Sequence, residues 1–274
     1  MNFVKPKVKA PAPELIGKTK NILDRYKTDT ICLESACPNI AECFARGTAT
    51  FLILGDVCTR RCHFCNVAHG KPKDVDESEP VRVASAVEDM GLKYVVVTSV
   101  DRDDLADFGA MQFVKVCQAI KERTEAKVEL LTPDFKAKKE LLDRIIQAGA
   151  DKLAHNIETV ERLSKKIMPG CSYTKSLDVL EHYAKSGIVT KSSIMVGLGE
   201  EWQEIERTLE DLRNVGVRQL TIGQYLAPSP AHAPVVRYYS SKEFEELRQM
   251  AFNIGFEAVV SGTLVRSSYY AERI

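Results

Sequence analysis

From residue 50 onward this chain repeats one pattern, a short apolar, β-branched run followed by an amphipathic helical stretch, and that rhythm restricts its fold more than any other feature. The strand candidates are residues 50–55, 94–99, 127–132, 152–156, 191–196 and 219–224. The strongest are Phe51-Leu52-Ile53-Leu54 and Tyr94-Val95-Val96-Val97-Thr98. Continuous apolar runs of this kind suit strands covered on both faces. Helical spacing marks residues 81–90, 108–124, 138–147, 160–166, 176–185 and 201–214. Gly91, Gly149, Gly187 and Gly216 stand where such helices should stop, because glycine tolerates the left-handed turn that ends a helix. Six βα units in series predict a parallel sheet wound by right-handed crossovers, an α/β partial TIM barrel of (β/α)6 type. A doubly wound open sheet is the alternative, but no glycine-rich dinucleotide fingerprint follows the first strand.

The same rhythm says where chemistry should sit. Ligands of βα barrels gather at the C-terminal ends of the strands. Here those ends carry Cys58, Cys62 and Cys65, then Thr98-Ser99-Val100-Asp101, Thr132-Pro133-Asp134, His155-Asn156-Ile157-Glu158, Gly197-Leu198-Gly199-Glu200 and Gln224-Tyr225. Nearly every strand delivers polar groups to one mouth.

Six of the eight cysteines lie between Cys32 and Cys65. The segment from Met1 to Pro13 has no apolar secretory stretch, so a reducing compartment is expected and thiolates should bind metal rather than pair as disulfides. Cys58, Cys62 and Cys65 form C-x3-C-x2-C. Each iron of a 4Fe–4S cluster wants one external ligand, so three thiolates leave one iron open for a small molecule with amine and carboxylate groups. A structural zinc site is the plainer reading. Zinc sites, however, usually need four closed positions and paired CxxC spacing, and His63 lies inside the loop. Cys32, Cys37 and Cys43, spaced C-x4-C-x5-C, are again one ligand short. Cys117 sits in the helical run Phe113–Ile120 and reads as a core thiol. Cys171 follows Pro169-Gly170 and reads as a surface or linker thiol.

Lys and Arg number 38 and Asp and Glu 38. Zero net charge offers no basic excess for nucleic acid. No apolar run reaches the roughly 18–20 residues a membrane span requires. A cytoplasmic enzyme that binds neither nucleic acid nor membrane is the expectation.

The two triads together, C-x4-C-x5-C then C-x3-C-x2-C, resemble lipoyl synthase, a family within the radical S-adenosylmethionine (SAM) enzymes. The resemblance extends to Cys37-Pro38-Asn39-Ile40-Ala41-Glu42-Cys43, Val97-Thr98-Ser99-Val100-Asp101-Arg102-Asp103-Asp104-Leu105, Leu131-Thr132-Pro133-Asp134-Phe135, His155-Asn156-Ile157-Glu158-Thr159-Val160, Met195-Val196-Gly197-Leu198-Gly199-Glu200 and Arg266-Ser267-Ser268-Tyr269. It implies a radical SAM sulfurtransferase. Such an enzyme inserts sulfur at C6 and C8 of an octanoyl chain carried on a lysine of a lipoyl carrier protein. It implies two 4Fe–4S clusters, one binding SAM through Cys58, Cys62 and Cys65. The other is an auxiliary sulfur donor held by Cys32, Cys37, Cys43 and Ser268, with Ser267 as second choice. A serine oxygen is a harder, weaker partner for iron than a thiolate and suits a cluster that must give up sulfur.

The implied partners are octanoylated glycine cleavage H protein and E2 subunits of 2-oxoacid dehydrogenases, an electron donor such as flavodoxin or ferredoxin, and an iron–sulfur carrier that rebuilds the auxiliary cluster. The implied organisation is an N-terminal extension at 1–48, a radical SAM core at 49–230 and a C-terminal extension at 231–274.

Four further residues are candidates for SAM. Asn156 and Glu158 either hydrogen-bond SAM or cap the following helix. Lys191 and Arg266 hold its carboxylate, steer an acidic carrier domain or form ion pairs. Asp103 and Asp104 read as helix caps or solvated charge, and Gly197 and Gly199 as a close approach to ligand or a plain tight turn. Thr263 and Tyr270 depart from the family's usual proline and histidine, and the segment before Cys32 lacks the family's tryptophan-containing stretch. The rival readings are another radical SAM sulfur inserter, of the biotin-synthase-like or methylthiotransferase kind, and a non-catalytic iron–sulfur carrier.

Overall fold

The computed structural model describes residues 13–34, 37, 39–45 and 50–273. These fall into two compact units. One comprises the residues before Arg61 together with Asn66–Leu153; the other comprises Arg61–Cys65 and the chain from Ala154 on.

The first unit opens with helix α1 (Pro13–Tyr26), the two-residue strand β1 (Asp29–Thr30) and the short helices α2 (Ile31–Glu34) and α3 (Ile40–Ala45). Next come β2 (Thr50–Ile53), the short strands β3 (Val57–Cys58) and β4 (Ala68–His69), α4 (Glu79–Asp89), β5 (Tyr94–Ser99), α5 (Ala110–Arg123), β6 (Lys127–Leu131) and α6 (Lys139–Gln147). Strands β2, β5 and β6 run parallel, with Thr50 opposite Val96 and Tyr94 opposite Lys127. β1 is antiparallel to β2, and β3 pairs with β4 in parallel. Parallel strands need both faces covered. Phe51, Ile53, Val95, Val97, Val128 and Leu130 are accordingly fully buried, as are Val87, Phe113 and Ile145 on the helices. Each such side chain contributes up to about 2 kcal/mol of burial. Strand β7 (Lys152–Ala154) ends this stretch.

The second unit contains α7 (Glu161–Ile167), α8 (Tyr173–Lys185), β8 (Val189–Val196), α9 (Trp202–Asn214), β9 (Gln219–Gln224), α10 (Ser241–Ile254) and β10 (Ala258–Gly262). β8, β9 and β10 are parallel, with Lys191 and Ala258 both opposite Gln219 on either side of β9. Ile194, Val196, Leu209, Leu220, Ile222 and Leu247 form its core with no exposed surface.

All six predicted strands and all six predicted helices are present, and two strands, β5 and β9, have the predicted limits. β2 is shorter than expected because Leu54 and Gly55 turn left-handed, at φ 69° and 87°. The sequence reading missed α10 and β10, the helix that follows β9 and a further strand parallel to β9, inside the predicted C-terminal extension. A capping box announces α10: Ser240 and Glu243 each take the other's backbone N–H.

Candidate active site

The three-cysteine loop starts where β2 ends, and its root is tied at both backbone atoms. The Leu54 N–H donates to both oxygens of Glu79, at 3.0 and 3.1 Å. The Leu54 carbonyl accepts from Arg102 Nη1 at 3.4 Å. Glu79 also accepts from Gln112 Nε2 at 2.7 Å, and burial raises its pKa above the usual carboxylate value. In β3, the Cys58 carbonyl accepts from Gly70 N at 3.0 Å.

Beyond β3 the loop leans on Asp101, just after β5. The Thr59 amide and hydroxyl both donate to the Asp101 carbonyl, at 3.0 and 2.9 Å. The Cys58 thiol donates to Asp101 Oδ2 at 3.9 Å. Arg60 is buried and grips Asp103 and Asp134 with two-point contacts of 2.8 and 2.9 Å each. Asp101 Oδ1 lies 3.2 Å from Arg60 Nη1. Burial pushes the Asp101 carboxyl up to about 6, although Arg60 pulls it down.

Cys62 and Cys65 belong to the second unit. Cys65 N donates to the Cys62 carbonyl at 3.1 Å, closing a tight turn. His63 engages through its main chain: its N–H donates to Ile167 O and its carbonyl accepts from Ala233 N, both at 2.8 Å. His232 Nε2 lies 3.2 Å from the Cys65 carbonyl, and its Nδ1 is 2.8 Å from Ser229 Oγ. Cys62 and Phe64 pack on the apolar core of this unit.

A polar cluster stands after β7 in the same unit. Asn156 Nδ2 donates to Glu158 Oε1 at 3.0 Å, and Ser267 Oγ donates to Asn156 Oδ1 at 2.9 Å. Glu158 holds a left-handed backbone at φ 65°. Its N–H donates to Ser193 O at 3.0 Å and its carbonyl accepts from Met195 N at 2.8 Å, which fixes that conformation against β8. A left-handed non-glycine residue held this firmly stores strain of the kind that gathers at functional sites. Burial raises the Glu158 pKa to about 7, against the pull of Arg266. Arg266 Nη1 donates to the carbonyls of Val265 and Gln224, at 2.7 and 3.2 Å. Lys191 is fully buried on β8. Neither Asn156 nor Glu158 caps α7, whose N-cap is Val160.

Cys32 is buried on α2, and its N–H donates to Thr30 Oγ1 at 3.2 Å. Cys37 N donates to the Cys32 carbonyl at 3.1 Å, so a backbone-closed turn links these two, while Cys43 lies on α3. Ser268 is partly buried in a turn closed by Tyr269 N donating to Arg266 O at 3.0 Å. Among the described residues, which include all eight cysteines, there is no disulfide. Nor do three or more His, Cys, Asp and Glu side chains there stand together as a preformed metal cage.

Several sequence readings change. Asp103 and Asp104 cap no helix; they pair with Arg60 and Arg102, at 2.8 Å each. A Cβ on Gly197 would stand 2.2 Å from Gln224 Nε2, so that glycine admits a neighbouring side chain. Its N–H donates to Glu200 Oε1, and Leu198 N donates to Oε2. Cys171 lies in the turn between α7 and α8, as a linker thiol should, and is partly buried against the second core. Cys117 is the core thiol expected, its pKa raised by burial to about 11. Arg60 escaped the sequence reading altogether, although its place inside the cysteine motif was a signal.

Parallel strands alternating with helices, and a three-thiol loop at the end of the first long strand, define a radical SAM enzyme. The model of the Radical SAM superfamily matches residues 52–212. Solved structures carry the fold: methylornithine synthase aligns with a TM-score of 0.59 at 16% identity, covering 92% of this chain and 79% of the other. A point mutant of spore photoproduct lyase aligns at TM-score 0.54 and 12% identity, covering 95% and 88%. The lipoyl synthase of Caldicellulosiruptor bescii is 50% identical, over 97% of this chain and 92% of its own length. That of Alcanivorax borkumensis is 48% identical over 97% and 83%. The chain belongs to the lipoyl synthase family of radical SAM sulfurtransferases. Membership brings with it the predicted α/β partial TIM barrel, SAM and a 4Fe–4S cluster. No helix among the described residues is long and apolar enough to cross a membrane.

Proposed function

We propose that this chain inserts two sulfur atoms, at C6 and C8, into an octanoyl group carried on a lysine of a lipoyl carrier protein. Cys58, Cys62 and Cys65 hold the SAM-binding cluster. Cys32, Cys37, Cys43 and Ser268 hold an auxiliary cluster. When bound, SAM on the first cluster supplies a 5′-deoxyadenosyl radical and the auxiliary cluster supplies sulfur.

The donor set fits. Each triad offers three thiols with no disulfide among them, one short of the four ligands a 4Fe–4S cluster takes. The missing ligand at Cys58, Cys62 and Cys65 leaves an iron for SAM's amine and carboxylate. Ser268 supplies the missing ligand of the other set. The choice of Ser268 over Ser267 rests on the Ser267 hydroxyl being committed to Asn156. Asn156, Glu158, Lys191 and Arg266 bind SAM, with Glu158 fixed in its strained conformation for that purpose.

Residues 1–48 and 231–274 are the extensions that carry the auxiliary ligands, around a core at 49–230. H protein and E2 subunits serve as carriers, flavodoxin or ferredoxin as reductant, and an iron–sulfur carrier restores the spent cluster, all in the cytoplasm. The observation that carries this reading is the pair of incomplete cysteine triads in a chain half identical to a lipoyl synthase.

Anaerobic reconstitution with SAM, a reductant and an octanoyl-lysine peptide tests it. Mass spectrometry should find 5′-deoxyadenosine with mono- and dithiolated peptide. Absence of deoxyadenosine removes the radical SAM role; deoxyadenosine without thiolated peptide removes the lipoyl role alone.

A further inference from the structure

We propose that Arg60 is a positioning residue for the cluster loop: it locks the Cys58 end to the first unit through Asp101, Asp103 and Asp134. The proposal rests on the reading that Cys58 is a cluster ligand. The side chains of Arg60 and Asp134 are 5% and 4% exposed. Burying a guanidinium is costly unless its donors are matched. Here the planar fork is matched twice. Nε and Nη2 meet the two oxygens of Asp103, and Nη1 and Nη2 meet those of Asp134.

Asp103 and Asp134 are themselves held. Asp103 accepts from Lys136 Nζ at 3.1 Å and its N–H donates to Thr59 Oγ1 at 3.0 Å. Asp134 Oδ1 accepts from Lys136 N at 2.9 Å. Asp101 links the grip to the thiol, with one oxygen 3.2 Å from Arg60 Nη1 and the other accepting from Cys58 Sγ at 3.9 Å. The Arg60 amide also donates to that sulfur at 3.4 Å. Cys58, Thr59 and Arg60 are therefore each fastened to Asp101 or its neighbours. A lysine there would keep the charge but lose the two-point contacts.

The test uses the metal-free full chain, so that it does not depend on turnover. Native protein is treated with iodoacetamide, and each cysteine's rate is read from its own peptide. Cys117, buried in α5, reports general opening. In Arg60→Lys, Cys58 should react about tenfold faster, the size of one lost charge-assisted hydrogen bond, with Cys117 unchanged. Asp103→Asn, a milder lesion, should change the rates in the same direction. Lys152→Met breaks a buried pair with Glu129 elsewhere in the unit and should leave Cys58 at the wild-type rate. After reconstitution in a Cys32→Ser, Cys37→Ser, Cys43→Ser background, Arg60→Lys should lose iron to a chelator faster than the parent.

Equal acceleration at Cys58 and Cys117, or none at either, overturns the positioning role. A parent chain that takes up no iron defeats the cluster reading instead, and the alkylation comparison still decides on Arg60.

Discussion

Ser267 donates its hydroxyl proton to Asn156 Oδ1 at 2.9 Å, joining the C-terminal arm to the residue two positions after β7. On the proposed ligand set, the two adjacent serines have different tasks. Ser268→Ala should leave 5′-deoxyadenosine formation intact and abolish sulfur insertion. Ser267→Ala should retain both activities and lower stability by about 1 kcal/mol, the usual worth of one such hydrogen bond. Product mass spectra of the two variants, side by side, check the division. Loss of sulfur insertion in Ser267→Ala with retention in Ser268→Ala would reverse it.

Glu158 makes stability depend on pH. Its folded pKa is raised to about 7 from an ordinary 4.5, so between those values the folded chain holds more protons than the unfolded one. Stability must then fall as pH rises through that window. In Glu158→Gln the amide stays neutral, and this part of the slope should vanish. Melting temperatures of metal-free protein from pH 4.5 to 8 measure it; parallel curves for both proteins would show that Glu158 is not the source.

Removal of the Glu79 carboxylate should loosen the loop root. Glu79→Ala strands Leu54 N in a buried place and leaves Gln112 Nε2 with only its bond to the Asp76 carbonyl. A loss of about 2–3 kcal/mol is expected, seen as a lower urea midpoint at unchanged slope. Glu79→Gln keeps acceptor and volume and should lose less.

Gly223 on β9 lies under the C-terminal arm. A Cβ there would stand 2.1 Å from the Val265 carbonyl oxygen, and backbone cannot yield as a flexible side chain does. Gly223→Ala should cost about 3 kcal/mol and displace the arm bearing Ser268. Lower stability together with reduced auxiliary-cluster iron would be the outcome; a variant with wild-type stability would exclude the clash.

Elements with strong local signals were legible in the sequence. Tyr94–Ser99 reads as a strand because its valines admit little else, and its limits agree with the structure. The end of β2 did not read, since Leu54 is an ordinary strand residue and only the contacts to Glu79 and Arg102 oblige it to turn. α10 was hidden by the expectation of an extension, although Phe244, Leu247 and Ala251 keep helical spacing on its buried face. The spacing of the cysteine triads was legible because it is local in the sequence. The Arg60 contacts were not: Asp103 and Asp134 lie 43 and 74 positions downstream, and no local pattern announces a long-range ion pair.

The Arg60 contacts also bear on protein engineering. A peptide bearing only the ten residues from Asp56 to Cys65 would carry every thiol of the motif yet none of the carboxylates that fasten its first half. A graft of the motif into another scaffold must therefore import the ends of two neighbouring strands, with Asp101, Asp103 and Asp134 in register. In this chain the portable unit is a strand-end constellation, and the cysteine spacing is only its visible part.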